Sequence, residues 1–518
     1  MRWPRPELRA RARQWRARLR EPAPYWLTRF VFLRSLGFLY FVAFASLALQ
    51  LLPLIGSDGL LPAQLYLDQR TPLEGGRLAG FLAHPSLFWL DASDGFLLVI
   101  CWAGAALSLV VCLGYANALL MLALWVAYLS FVQIGQVWFR FGWEFQLLET
   151  GFLAIFLCPL LDGRPFPNTA PPRAVIWLLR WLTFRILLGA GLIKLRGDPC
   201  WRELTCLIFH YETQPVPHPL SWVLHNLPEW TQRLGVAFNH LAELIAPFFV
   251  FGPRRVRHLA GGLLVLFQAL LIASGNLSFL NWLTIVPILA CFDDTLWRRV
   301  LPRRSAAAAD RARAGARRSP LQTALVAGLA VAVGLLSIAP VRNLLSSGQI
   351  MNTSFDRLHL VNSYGAFGSV GRERHELILE GTSDAVLGDE TVWREYAWKC
   401  KPGDPHRRPC FITPYHYRLD WLIWFAAMSS YEHHPWLIHL IWKLLHDDAG
   451  ALSLLAENPF PDAPPRFVRA ELYRYEFTGW GEPGGAWWRR HRLRSYLAPL
   501  SADNEKLRAF LAGYGWID

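Results

Sequence analysis

Apolar residues fall into nine runs over the first 340 positions: 30–54, 95–113, 116–134, 143–161, 174–195, 234–251, 259–273, 277–292 and 321–340. About 20 apolar residues at a rise of 1.5 Å each match a hydrocarbon core about 30 Å thick, so each run predicts a spanning helix. The runs at 259–273 and 277–292 are the shortest. Past position 340 the pattern becomes that of a water-soluble domain. Residues 375–380, 393–401 and 466–478 alternate as strands, the last through Phe467, Arg469, Glu471, Tyr473, Tyr475 and Phe477, while 420–430 and 435–457 read as helices. The expected fold is a polytopic α-helical membrane protein of about nine spans, followed by an exported α+β domain with helices on one face of a small sheet.

Charge sets the orientation. Nine arginines lie in residues 1–29, three in the gap 252–258 and eight in the gap 293–320. Arginine-rich gaps stay in the cytoplasm. Counted from a cytoplasmic start, the gaps after the sixth and eighth spans fall on that side, and the same parity exports 341–518. The domains are therefore a basic amphipathic segment at 1–29, a bundle at 30–340 with exported loops at 55–93 and 196–233, and an exported domain at 341–518. Within the first segment, residues 9–20 read as an interfacial helix, with a mitochondrial presequence as the rival reading. Residues 298–320, with a run of four alanines (306–309) among the arginines, read as a flexible cytoplasmic linker. The trailing aromatics Trp487, Trp488, Tyr496 and Trp516 are expected to pack on the sheet or to lie at the membrane surface.

A formal net charge of +13 does not point to nucleic acid, because the basic residues flank spans, where headgroups and insertion rules account for them. Lysine is nearly absent, five against 47 arginines, which points to a GC-rich bacterial genome and an inner-membrane protein with a periplasmic domain. Of eight cysteines, four lie in spans. Cys200, Cys206, Cys400 and Cys410 fall in exported segments, and among the three possible pairings Cys400–Cys410 is favoured.

Ionisable side chains inside spans are costly and mark function. Glu144, Glu149, Arg180, Arg185, Lys194 and Glu243 are such groups. Counting 1.5 Å per residue places Glu144 and Lys194 within about 3 Å of the exported end, Glu149 at roughly 10 Å, and Arg185 and Glu243 at roughly 14 Å. That predicts Glu144 beside Lys194, and Arg185 between Glu149 and Glu243. Lysine loses its proton more readily than arginine when desolvated, so Lys194 is a candidate base, set against a structural role in holding Glu144. His210, Tyr211 and Glu212 cluster in the loop at 196–233, but their spacing is not that of metal ligands, and neither a metal nor a cofactor is expected. The chain has no GxSxG elbow, no Walker loop and no HExxH. Its GxGxxG spacing at Gly479–Gly484 holds a proline and opens no helical pattern, so hydrolase, nucleotide-driven and dinucleotide-dependent chemistry are disfavoured.

Longer strings carry a resemblance. Gly191-Leu192-Ile193-Lys194-Leu195-Arg196-Gly197-Asp198-Pro199 with Trp201, then His210-Tyr211-Glu212-Thr213-Gln214-Pro215, resemble the lipase maturation factor family. So do Asn362-Ser363-Tyr364-Gly365, Trp393-Arg394-Glu395-Tyr396, Arg418-Leu419-Asp420-Trp421 and Tyr473-Arg474-Tyr475-Glu476-Phe477. The likeness runs through nearly the whole chain. It implies a membrane protein whose exported domain helps secreted lipases reach an active fold. The expected partners are thus a lipase or other exported client and membrane lipids, with the endoplasmic reticulum as the membrane if the source is eukaryotic. The Gly-Leu-Ile-Lys-Leu stretch also resembles the membrane domain of vitamin K-dependent carboxylases, which implies a second reading. In that reading the bundle is an enzyme on a lipid or quinone-like substrate, with Lys194 as base and Glu144 or His210 assisting.

Overall fold

The structure, a computed structural model, describes residues 24–317 and 319–517; the interfacial helix expected at 9–20 lies outside them. Every apolar run is helical. The helices are α1 (Trp26–Ala48), α2 (Asp94–Leu113), α3 (Ala118–Ile134), α4 (Gly142–Leu157), α5 (Arg173–Arg196), α6 (Glu229–Phe251), α7 (Arg254–Ser274), α8 (Leu280–Ile288) and α9 (Pro320–Leu345). Among the described residues, α1, α2, α5, α6, α7 and α9 are long and apolar enough to cross a membrane, whereas α3, α4 and α8 are shorter. The molecule is a polytopic α-helical membrane protein.

Local chemistry sets the ends of these helices. Ser93, Asn117 and Ser319 each accept a first-turn amide and cap α2, α3 and α9. The start of α1 is capped from a distance: the Asp294 carboxylate accepts from the amides of Trp26 (3.2 Å) and Leu27 (2.9 Å). Pro247 denies α6 a donor, and the helix passes through a π turn at Leu241–Ile245 into a 3-10 segment. That wide turn carries Glu243.

The linker expected at 298–320 is instead largely helical, with Arg303–Ala314 turning Ala309 and Ala312 onto Trp26 and Leu27 of α1. Alanine is the strongest helix former, and the arginines that suggested a solvated tether occupy the outer face.

The C-terminal domain is built on a four-stranded antiparallel sheet of order β2-β1-β3-β4, with β1 at Arg374–Thr382, β2 at Arg394–Glu395, β3 at Phe467–Phe477 and β4 at Trp488–Leu500. Helices α10 (Arg418–Ala427) and α11 (Pro435–Leu445) cover one face through Leu377, Leu379, Val468 and Leu472, and α12 (Glu505–Tyr514) closes the chain. The single helix read at 435–457 breaks after Leu445, because Asp447 takes a positive φ of 54° and Asp448 caps a new turn. Strand β4 was not anticipated. Its sequence is arginine-rich, and Arg490 is held by Glu395 of β2 and Arg492 by Glu471 of the adjacent β3, so its strand character is supplied across the sheet. One continuous apolar core joins α1–α5 to the sheet and to α10 and α11.

Candidate functional site

The membrane carboxylates are partnered differently from what depth counting predicts. Glu144 of α4 does not meet Lys194. Its Oε1 accepts from Arg418 of α10 at 2.8 Å and from the Trp143 indole at 3.1 Å, while its Oε2 accepts from the Tyr128 hydroxyl. Lys194 at the end of α5 donates to both oxygens of Glu243, at 2.7 and 2.8 Å, and to Asn239 at 2.9 Å, with its Nζ 4.8 Å from the centre of the Trp201 ring. Arg185 pairs with Glu149 but not with Glu243. Rise per residue gives height and no azimuth, and the count took every partner from the bundle, whereas the domain after it supplies Arg418.

Glu149 completes a second cross-link. Its Oε2 accepts from the Asn362 amide (3.0 Å), the Asn362 side chain (3.1 Å) and the Tyr364 hydroxyl (2.8 Å), while Arg185 donates to the Asn362 carbonyl at 2.5 Å. Gly365 follows in a crowded position, where a Cβ would press on Met351 and Ile193. Beyond Arg418, Asp420 is fully buried and accepts from the Cys400 amide at 2.6 Å, and Trp421 sets its ring edge-on to Trp143 at 4.8 Å. Burial lifts the Asp420 carboxyl to about 6 against the pull of that amide and of Lys401.

The string from Trp201 to Pro215 is a fastener of the same kind. The Trp201 indole donates to the Phe367 carbonyl at 2.8 Å. Glu212 turns away from the bundle to accept from the Phe477 amide at 2.6 Å, and burial raises its pKa above the usual carboxylate range. Arg374 of β1 donates to the carbonyls of Glu212 (2.7 Å) and Gln214 (2.5 Å). Arg374 also pairs with Glu376, which Lys401 meets at 2.9 Å, in a buried triad that the sequence reading missed. Lys401 is one of only five lysines, so the rarity that drew attention to Lys194 was a usable signal there too. Burial pulls Lys401 down to about 8.

Disulfides join Cys400 to Cys410 and Cys200 to Cys206. Asp198, Cys200 and Cys206 are the one ligand-type group found together among the described residues, and its two sulfurs are bonded to each other.

Between α5, α6, α7 and the C-terminal domain lies a cavity of about 750 Å³. Lys194, Glu243 and Asn239 line it, as do His210 and Tyr211 from the helix Cys206–Thr213, and Trp421, Trp424 and Phe425 from α10. Burial and the Lys194 charge pull His210 down to about 4, so its imidazole is neutral. Burial pushes the Tyr211 hydroxyl up to about 12. Of the sequence-selected groups, Lys194, His210, Tyr211, Trp201 and Glu243 thus meet around one space. Glu144, Glu149, Arg185, Glu212, Asn362 and Arg418 tie the bundle to the domain that follows it.

Comparison with known proteins matches residues 27–299 to the lipase maturation factor transmembrane domain and residues 360–498 to the lipase maturation factor C-terminal domain. "Lipase maturation factor 1" of Bos taurus is 50% identical over 531 residues, covering 96% of this chain and 93% of that protein. Its Homo sapiens counterpart is 50% identical over 519 residues, covering 95% and 90%. "Lipase maturation factor 2" of Homo sapiens is 30% identical over 609 residues, covering 94% and 85%. No solved structure matches.

Proposed function

Because the chain belongs to the lipase maturation factor family, we propose that it acts in its membrane as a maturation factor for exported lipases, bringing them to an active fold rather than transforming a substrate itself. The observation that carries this reading is the extent of the likeness: half of all residues are identical to the mammalian factor 1 proteins across more than nine-tenths of the chain. Trp201, Glu212, Asn362, Tyr364, Arg418 and Phe477, which take part in fastening bundle to domain, lie in the strings that resemble the family, so the two parts are built to work as one body. Its partners in this reading are a lipase client and the surrounding lipid.

The arginine-rich gaps at 1–29, 252–258 and 293–320 support an orientation with residues 341–518 on the export side, where a client is met. Two disulfides in segments assigned to that side agree with an oxidising compartment. The arginine-dominated composition favours a bacterial inner membrane with the C-terminal domain in the periplasm. Lys194 has little scope as a base here, since its ammonium is held by both Glu243 oxygens and by Asn239.

Expression of this chain in animal cells lacking lipase maturation factor 1, beside a secreted lipase, tests the proposal. It is expected to raise lipase activity per molecule without raising the amount secreted. Activity per molecule that stays at the level of the deficient cells, with the chain present in their membranes, contradicts it.

A further inference from the structure

The cavity beside Lys194 has the size of a ligand site, about 750 Å³ where such sites span roughly 300–1,000 Å³. Its polar wall is nearly self-satisfied. Lys194 is taken by Glu243 and Asn239, Gln268 accepts from Asn281 at 2.8 Å, and Gln146 donates to Thr284 at 3.1 Å. Three polar side chains that are not exposed are left over, one of them Trp421, whose indole N–H has no partner among the described residues. The His210 imidazole, 8% exposed, and the Tyr211 hydroxyl line the cavity and hydrogen-bond no described residue. A neutral imidazole offers one donor and one acceptor, and a phenol offers both from a single oxygen. Buried polar groups of this kind take partners, from water or from a ligand.

The charge and the rim narrow the ligand. Lys194 and Glu243 neutralise each other, so an anion gains no unpaired cation beside His210, and Arg140 lies exposed at the rim. Leu220, Leu227 and Leu270 line the cavity and are also 44%, 36% and 50% exposed, which makes an apolar mouth. Such a mouth admits an acyl chain and repels a water-soluble metabolite. We propose that the cavity binds a neutral lipid of the acylglycerol class, with its hydroxyl and ester oxygens on His210 and Tyr211 and its chain along the apolar and aromatic wall. Because Trp421, Trp424 and Phe425 come from α10, an occupant touches both the bundle and the C-terminal domain and stabilises their union by mass action.

The test uses the full chain in phosphatidylcholine nanodiscs, with a monoacylglycerol carrying a photoreactive diazirine in its chain. Saturable labelling is expected within 220–227, 267–277 or 421–425, displaced by monooleoylglycerol at concentrations at least about tenfold below those of oleate or hexadecane. His210→Phe keeps the ring and removes both nitrogens, and is expected to weaken displacement about tenfold. Tyr211→Phe, which deletes only an oxygen and keeps the fold, is expected to weaken it about threefold or more. Ala273→Trp fills the space and is expected to abolish labelling. Labelling that does not saturate, oleate displacing as well as monooleoylglycerol, or wild-type displacement in a folded His210→Phe and in Tyr211→Phe each overturn the proposal. The readout is binding and not lipase output, so its failure leaves the maturation reading standing.

Discussion

Glu144 and Arg418 are fully buried and belong to different parts of the molecule, so neither can lose its partner cheaply. Removing one member of such a pair strands a charge and costs about 3–5 kcal/mol, whereas replacing both with apolar groups costs much less. Glu144→Leu and Arg418→Met are each expected to lower thermal stability sharply, with the double variant clearly less destabilised than the sum; strict additivity in a double-mutant cycle contradicts the pairing. Asp420 makes a prediction about pH. Its carboxyl titrates at about 6 when folded and near 3.9 when unfolded, so between those values the native state binds more protons. Its contribution to stability is complete below about pH 4 and is lost as pH rises through about 6, a change of about 3 kcal/mol. Asp420→Asn retains an acceptor for the Cys400 amide and removes the titration. Unfolding measured from pH 4 to 7 is therefore expected to show the wild type losing that much relative to the variant, and parallel curves contradict the assignment. At this scale the sequence revealed which residues matter better than how they pair. Glu144, Glu149, Arg185, Lys194 and Glu243 stood out because charge is rare in apolar runs, but the partners Arg418 and Asn362 come from the segment after the bundle, which helix counting does not connect to them.

Helix α5 is the element on which the assembly turns. It carries Arg185 and Lys194, and its glycines let the following domain approach closely: a Cβ on Gly189 would collide with the Tyr364 carbonyl, and one on Gly197 with the Gly368 carbonyl. Backbone cannot yield as a side-chain tip does, so Gly189→Val is expected to cost about 1–3 kcal/mol. Gly262→Val in α7, where a Cβ meets nothing within 4 Å, serves as the control; equal stability of the two variants in thermal unfolding contradicts the close approach. The helices were legible because apolar runs of spanning length have few other solutions in a membrane. Strand β4 and the helix Arg303–Ala314 were not, since both are rich in arginine and their apolar or paired faces become visible only against β3 and α1. The break after Leu445 was hidden too, because in 435–457 only the Asp447-Asp448 pair and Gly450 signal a turn.

Across the whole molecule, three fasteners hold bundle and C-terminal domain as one body: Glu144 on Arg418, the Glu149–Arg185 pair on Asn362 and Tyr364, and the 201–215 string on Phe367, Arg374 and Phe477. Five of the sequence strings that carried the family likeness map onto these joints, so the likeness reports how the domains are joined as much as what each contains. The cavity was not legible, because it is assembled from α5–α8, the 201–215 string and α10, and no single segment announces it. The most direct measurement of the central claim is the activity per molecule of a secreted lipase in the native host, with this gene intact, deleted and restored. The account predicts that deletion lowers activity per molecule while the amount exported is unchanged, and that restoration recovers it. Equal activity per molecule in all three strains, for every secreted lipase measured, would contradict it.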